Sequence, residues 1–74
     1  SIQDVKHGDQ PFVIGHYVII FNGEIYNHLE LRKKLNNYTF KTRSDTETLL
    51  ALYIEFGVSA LEMCDGMFAF VILN

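Results

Sequence analysis

Asn22 and Gly23 sit between an apolar run, Tyr17-Val18-Ile19-Ile20-Phe21, and the stretch Glu24-Ile25-Tyr26-Asn27. An Asn-Gly pair at the end of a buried strand is where the backbone takes φ > 0 and turns sharply. Such a turn can leave a side-chain amide and a backbone N–H pointing into a cleft. Stabilising a developing oxyanion needs preformed donors of that kind rather than a particular charge. Taken alone, the pair reads more simply as a turn, because Asn-Gly turns are common and few are catalytic.

The second candidate is Asp45, within Ser44-Asp45-Thr46-Glu47. Ser44 as N-cap and Glu47 as its partner have the form of a capping box ahead of Leu49, Leu50, Leu52, Tyr53, Ile54 and Phe56. With Ser44 satisfying first-turn N–H groups, Asp45 falls at the first helical position with its carboxylate free. The helix dipole keeps such a carboxylate ionised, ready to hold a ligand's ammonium group. The plainer account is dipole complementation, since acidic residues are enriched in first turns. Glu24 is a further acid beside the Asn-Gly pair, placed either to orient a ligand or to face solvent.

Other chemistries find little footing. His7, His16 and His28 lie on different elements without ligand-like spacing, which argues against a metal site. No glycine-rich phosphate loop is present. Cys64, between Met63 and Asp65 at the end of an apolar helix, reads as a buried, inert thiol. An amide–glycine donor pair and a helix N-terminal carboxylate could together grip a small zwitterion or amide, but no convincing nucleophile accompanies them.

The elements that must position these groups fit into 74 residues, at most one small domain. The 49% hydrophobic and 14% aromatic content argues for a globular chain, with some apolar surface expected to pack against a further part. A net charge of −3 and the absence of a basic stripe exclude a nucleic-acid binder; Arg32-Lys33-Lys34 reads as a solvated helix face. No run approaches a membrane span and no signal peptide is evident. A single cysteine rules out an internal disulfide and suits a reducing compartment. The first residue is not Met and the last run is a strand, so both ends are expected to be cut.

Along the chain, Ser1–Val5 reads as extended and Lys6–Pro11 as a loop. Phe12–Ile14 and Tyr17–Phe21 read as a hairpin closed at Gly15-His16, the second strand central and covered on both faces. A helix is expected from about His28 to Leu35, capped by Asn27 with Glu30 and buried through Leu31 and Leu35. Tyr38–Thr42 alternates as a half-buried strand should. A long helix then runs from Ser44 to a stop at Gly57, with Leu49, Leu52, Tyr53 and Phe56 on its buried face and Leu50 and Ile54 widening it. A short helix from Ser59 to about Met63, a turn at Asp65-Gly66 and a buried strand Met67–Leu73 complete an α+β class.

Asn22-Gly23-Glu24-Ile25-Tyr26-Asn27-His28, Tyr38–Glu47 and Asp65-Gly66-Met67-Phe68-Ala69-Phe70, at this spacing, resemble the glutaminase domain of glutamine-hydrolysing asparagine synthetases. These are class II, N-terminal-nucleophile glutamine amidotransferases, and the resemblance runs the length of the chain. It implies part of a four-layer α/β/β/α sandwich over residues 1–74. It implies a cysteine nucleophile at the mature N-terminus, whose α-amino group acts as base. Asn22 (side chain) and Gly23 (backbone N–H) would form the oxyanion hole, Asp45 would bind the α-amino group of L-glutamine, and Glu24 would line the pocket. Ser1, Ile2 and Gln3 would match part of a glutamine-binding loop. Ammonia would pass to a C-terminal synthetase domain using ATP and magnesium, with no cofactor in this domain and a cytoplasmic setting.

The chain departs from that pattern in lacking the N-terminal cysteine, and Ser1 matches an interior position rather than a nucleophile. The fragment alone is therefore expected to be inactive, because binding groups without a nucleophile cannot form the thioester. Two alternatives stay open: a similar amidotransferase with another acceptor, or a degenerate binding or assembly module. Exposed strand edges leave room for a homo-oligomer.

Overall fold

Alternation along three strands decides which way the sheet faces. The computed structural model describes residues 11–74, and the expectations for residues 1–10, among them Ser1, Ile2 and Gln3, lie outside the described residues. Strand β1 (Phe12–Ile14), β2 (Tyr17–Ile25) and β3 (Gly66–Leu73) form an antiparallel sheet in the order β1-β2-β3. The hairpin falls where the sequence places it, with Ile14 opposite Tyr17 across Gly15-His16. Phe12, Ile14, Tyr17, Ile19, Phe21 and Ile25 share one face with Phe68, Phe70 and Ile72, and all contribute to one core cluster.

Helix α2 (Asp45–Phe56) supplies the other side of that core through Leu49 and Leu50. Its Ala51 and Leu52 meet Leu31, Leu35 and Ala60 in a second cluster. These come from α1 (His28–Leu31), its continuation, and α3 (Ser59–Met63). α2 is thus buried almost all round from Thr46 to Leu52, while Ile54, expected to widen its buried face, is 41% exposed. Gly57 ends the helix as expected, its N–H donating to the Tyr53 carbonyl.

Four local expectations change. Only one face of β2 is covered among the described residues: Val13, Ile20, Met67, Val71 and Leu73 are exposed on the other. In a four-layer arrangement that is the face for a second sheet. The helix expected over His28–Leu35 is a single α turn running into a 3₁₀ turn, Arg32–Lys34. Asn27 does not cap it. Its side chain donates to the Met63 carbonyl (2.9 Å) and accepts from the Asp65 N–H (2.8 Å), fastening the start of α1 to the loop before β3.

The Tyr38–Thr42 segment is not a strand. Its Lys41 and Thr42 N–H groups donate to the two carboxylate oxygens of Glu47, both at 2.8 Å, instead of to a neighbouring strand. A half-buried alternation appears in the sequence because Tyr38 and Phe40 pack edge to face beside α1 and α2. The partner that replaces the ladder is a side chain.

Candidate functional site

The Asn-Gly pair is a strand interior rather than a reversal. β2 continues to Ile25, with Asn22 opposite Ala69, Gly23 opposite Phe68 and Glu24 opposite Met67. Gly23 does carry the expected positive φ, 134°, a value foreign to regular strands. What requires glycine is also the approach of β3. A Cβ at Gly23 would run into the Met67 carbonyl oxygen and lie 2.5 Å from Phe68 Cα. Gly66 answers from the other strand, where a Cβ would strike the Glu24 carbonyl. Asn22 and Glu24 are exposed and, by alternation, leave the sheet on the face opposite the helices.

Asp45 is brought to the end of the same strand. Its Oδ2 accepts a hydrogen bond from the Ile25 N–H at 3.0 Å. Contrary to the expectation of a free carboxylate, one oxygen ties the start of α2 to β2, two residues beyond Gly23. The fold therefore places Asp45 at the end of the strand that carries Asn22, Gly23 and Glu24, with the Asn22 and Glu24 side chains leaving on the sheet face away from α2. A cleft of about 280 Å³ lined by Ile14, Leu35, Tyr38, Ala51 and Ile54 lies elsewhere and includes none of them.

Behind Asp45 stands a polar network that sequence reasoning missed. Ser44 caps α2 as expected, accepting from the Glu47 N–H at 3.2 Å. Glu47 does not return to the Ser44 N–H, which goes to Thr42 Oγ1 instead. Its carboxylate, fully buried, accepts from Tyr38 Oη (2.6 Å), Thr42 Oγ1 (2.7 Å) and the two backbone N–H groups. Burial by itself would raise the Glu47 carboxyl, but the bonds from Tyr38, Lys41 and Thr42 together outweigh it and hold its pKa below the ordinary 4.5. Burial and the same carboxylate push the Tyr38 phenol up.

Arg32 is likewise no solvated helix charge. Its Nε donates to Thr48 Oγ1 (2.7 Å), and its two terminal nitrogens donate to the Thr42 carbonyl (2.7 Å) and the Ser44 carbonyl (2.8 Å). The guanidinium lies 4.0 Å from the centre of the Phe40 ring. His28 shares Thr48 Oγ1 at 3.2 Å; burial lowers its pKa despite the opposing influence of Asp45. Cys64, half-buried, donates its S–H to the Ala60 carbonyl, and burial raises its thiol. That suits the inert reading.

Glu47→Gln should lower stability by about 1–3 kcal/mol at neutral pH, because an amide NH₂ would face donors it cannot satisfy. The carboxylate's pKa is depressed on folding, so its contribution is fully present above pH 4.5 and lost as pH falls through the lower folded value. Denaturation midpoints of the two proteins should therefore converge under acid. A gap that is constant with pH would assign the effect to something other than this charge.

Among the described residues no three His, Cys, Asp or Glu side chains gather as a metal site requires, and no helix is long and apolar enough to cross a membrane. The architecture is that of an N-terminal-nucleophile amidotransferase. The glutamine phosphoribosylpyrophosphate amidotransferase of Bacillus subtilis matches with a TM-score of 0.69 and 25% identity, over 89% of this chain and 17% of that one.

At the level of sequence, the chain belongs to the family described as the glutamine amidotransferase domain, whose model matches residues 1–74. It is 53% identical over 78 residues to asparagine synthetase [glutamine-hydrolyzing] 1 of Bacillus subtilis (strain 168). It is 51% identical over 77 residues to the probable asparagine synthetase [glutamine-hydrolyzing] of Schizosaccharomyces pombe. Against asparagine synthetase [glutamine-hydrolyzing] 1 of Arabidopsis thaliana the identity is 47% over 76 residues. Each match takes in all of this chain but only 12–14% of the relative's length.

Proposed function

We propose that this domain binds and hydrolyses L-glutamine within a longer polypeptide that makes asparagine from aspartate with ATP. The observation that carries the reading is the Asp45 carboxylate fixed at the end of the strand bearing Asn22, Gly23 and Glu24. In this reading the Asp45 anion and the Asn22 amide serve the two ends of one small zwitterion. Asp45 takes the α-amino group, Glu24 lines the pocket, and Ser1, Ile2 and Gln3 belong to a loop around the substrate.

The nucleophile is an N-terminal cysteine of that polypeptide, outside the 74 residues, with its own α-amino group as base. Its sulfur attacks the side-chain amide carbon, and the Asn22 amide and Gly23 N–H hold the oxyanion that forms. Ammonia leaves with the proton passed from the thiol through the amine, giving a glutamyl thioester; water hydrolyses it to glutamate. The ammonia goes to a C-terminal synthetase domain, where ATP and magnesium belong; this domain needs no cofactor. The setting is cytoplasmic, and neither nucleic acid nor membrane is a partner.

Asp45→Asn in the intact polypeptide removes a charge-assisted contact worth roughly 1.5–3 kcal/mol, so the KM for glutamine should rise about 10- to 150-fold. Synthesis fed with ammonia should be far less affected, since it bypasses this pocket. Equal losses in the two assays would overturn the assignment.

A further inference from the structure

Asp45 can serve an ammonium group only if the peptide that carries it points one way, and beyond the first turn of α2 itself a guanidinium from α1's continuation holds that peptide. The Ser44 carbonyl belongs to the peptide bond joining Ser44 to Asp45. It accepts from the Arg32 guanidinium at 2.8 Å, as well as from the Thr48 N–H at 3.4 Å and Thr48 Oγ1 at 3.3 Å. The same guanidinium holds the Thr42 carbonyl two residues earlier and Thr48 Oγ1 one turn later. Three oxygens on both sides of Asp45 are thus referred to one rigid plane, itself stacked on Phe40. Asp45 is held from its other side by the Ile25 N–H.

We propose that Arg32 is a positioning residue for glutamine binding: its fork sets the orientation of the Ser44–Asp45 peptide, and through it the direction of the Asp45 carboxylate. This rests on the glutamine-binding reading of Asp45. The planar fork is what the role demands. A lysine at 32 offers a single point charge on a flexible stem and cannot serve three oxygens in one plane. The capping hydroxyl of Ser44 does not replace it, because that bond fixes the Glu47 N–H rather than the peptide bearing Asp45.

The test is a double-mutant cycle in the full-length polypeptide, with Arg32→Met, Asp45→Asn and the pair, reading KM for glutamine, glutaminase kcat and ammonia-dependent asparagine formation. Arg32→Met should raise KM for glutamine about tenfold or more, as small misplacements of a binding group do, with ammonia-dependent turnover unchanged. In the Asp45→Asn background the same substitution should add little, because its effect passes through Asp45. Arg32→Lys should recover only part of the loss, and it carries the same cycle if Arg32→Met does not accumulate as folded protein.

Full additivity of the two substitutions, an unmoved KM, or parallel loss of ammonia-dependent synthesis would each overturn the proposal. If Asp45→Asn alone leaves KM unchanged, the failure belongs to the glutamine-site reading, and Arg32 has nothing to position. If Asp45→Asn raises KM and Arg32→Met does not, only the role of Arg32 is lost.

Discussion

Replacing Asn22 with alanine in the intact polypeptide is expected to lower glutaminase turnover by on the order of a hundredfold or more. The reason is where the amide sits. Asn22 lies on the sheet face away from the helices, exposed, on a strand whose next residue departs from the regular pleat. Its truncation leaves no cavity and should barely move the thermal midpoint. The oxyanion exists only during reaction, so its loss should appear in kcat, with KM for glutamine little changed. Asp45→Asn should do the reverse and act mainly on KM. Steady-state kinetics of the two variants separate the roles. Turnover preserved in Asn22→Ala would remove this side chain from the oxyanion hole.

Gly23→Ala should have a larger effect on the fold itself. Two costs add at that position. A φ of 134° is strained for any residue with a Cβ, and the added methyl would overlap the Met67 carbonyl and crowd Phe68. Strain of this kind and overpacking each cost about 1–3 kcal/mol, so roughly 3 kcal/mol or more is expected in total. That is a large part of an ordinary domain's stability.

Gly15 supplies the control. Its φ is also positive, at 60°, but a Cβ there meets nothing within 4 Å, so Gly15→Ala should cost only about 1–2 kcal/mol. Thermal or denaturant unfolding of the two variants compares strain alone with strain plus collision. Equal midpoints would mean that β2 and β3 can part at Gly23 without penalty.

These expectations turn on features of different legibility. The hairpin at Gly15-His16, the Ser44 cap, the length of α2 and its end at Gly57 are all written locally. Each depends on one residue's backbone freedom or on a hydrogen bond reaching three or four positions, which a linear reading can see. The motifs around Asn22, Asp45 and Gly66 were visible for the same reason: their spacing is fixed along the chain. The sequence pattern also carried the positive φ at Gly23, although not the fact that the strand runs on through it.

What the tertiary structure alone decided is where polar side chains go when their partners are distant. Asn27 has the look of a helix cap, yet it spends its amide 36 and 38 residues away. Glu47 has the look of a capping-box partner, yet its carboxylate takes up the Tyr38–Thr42 segment that alternation would have made a strand. Arg32 resembles a solvated charge because nothing in its neighbourhood names the carbonyls 10 and 12 residues on. Local rules rank the conformations a segment prefers. Buried donors and acceptors must all be paired, and which pairing closes depends on the packed chain as a whole. The order and spacing of Asn22, Gly23, Glu24 and Asp45 were therefore legible in the sequence, while the hydrogen bonds that tie Asp45 to Ile25 and the Ser44 carbonyl to Arg32 were decided by packing.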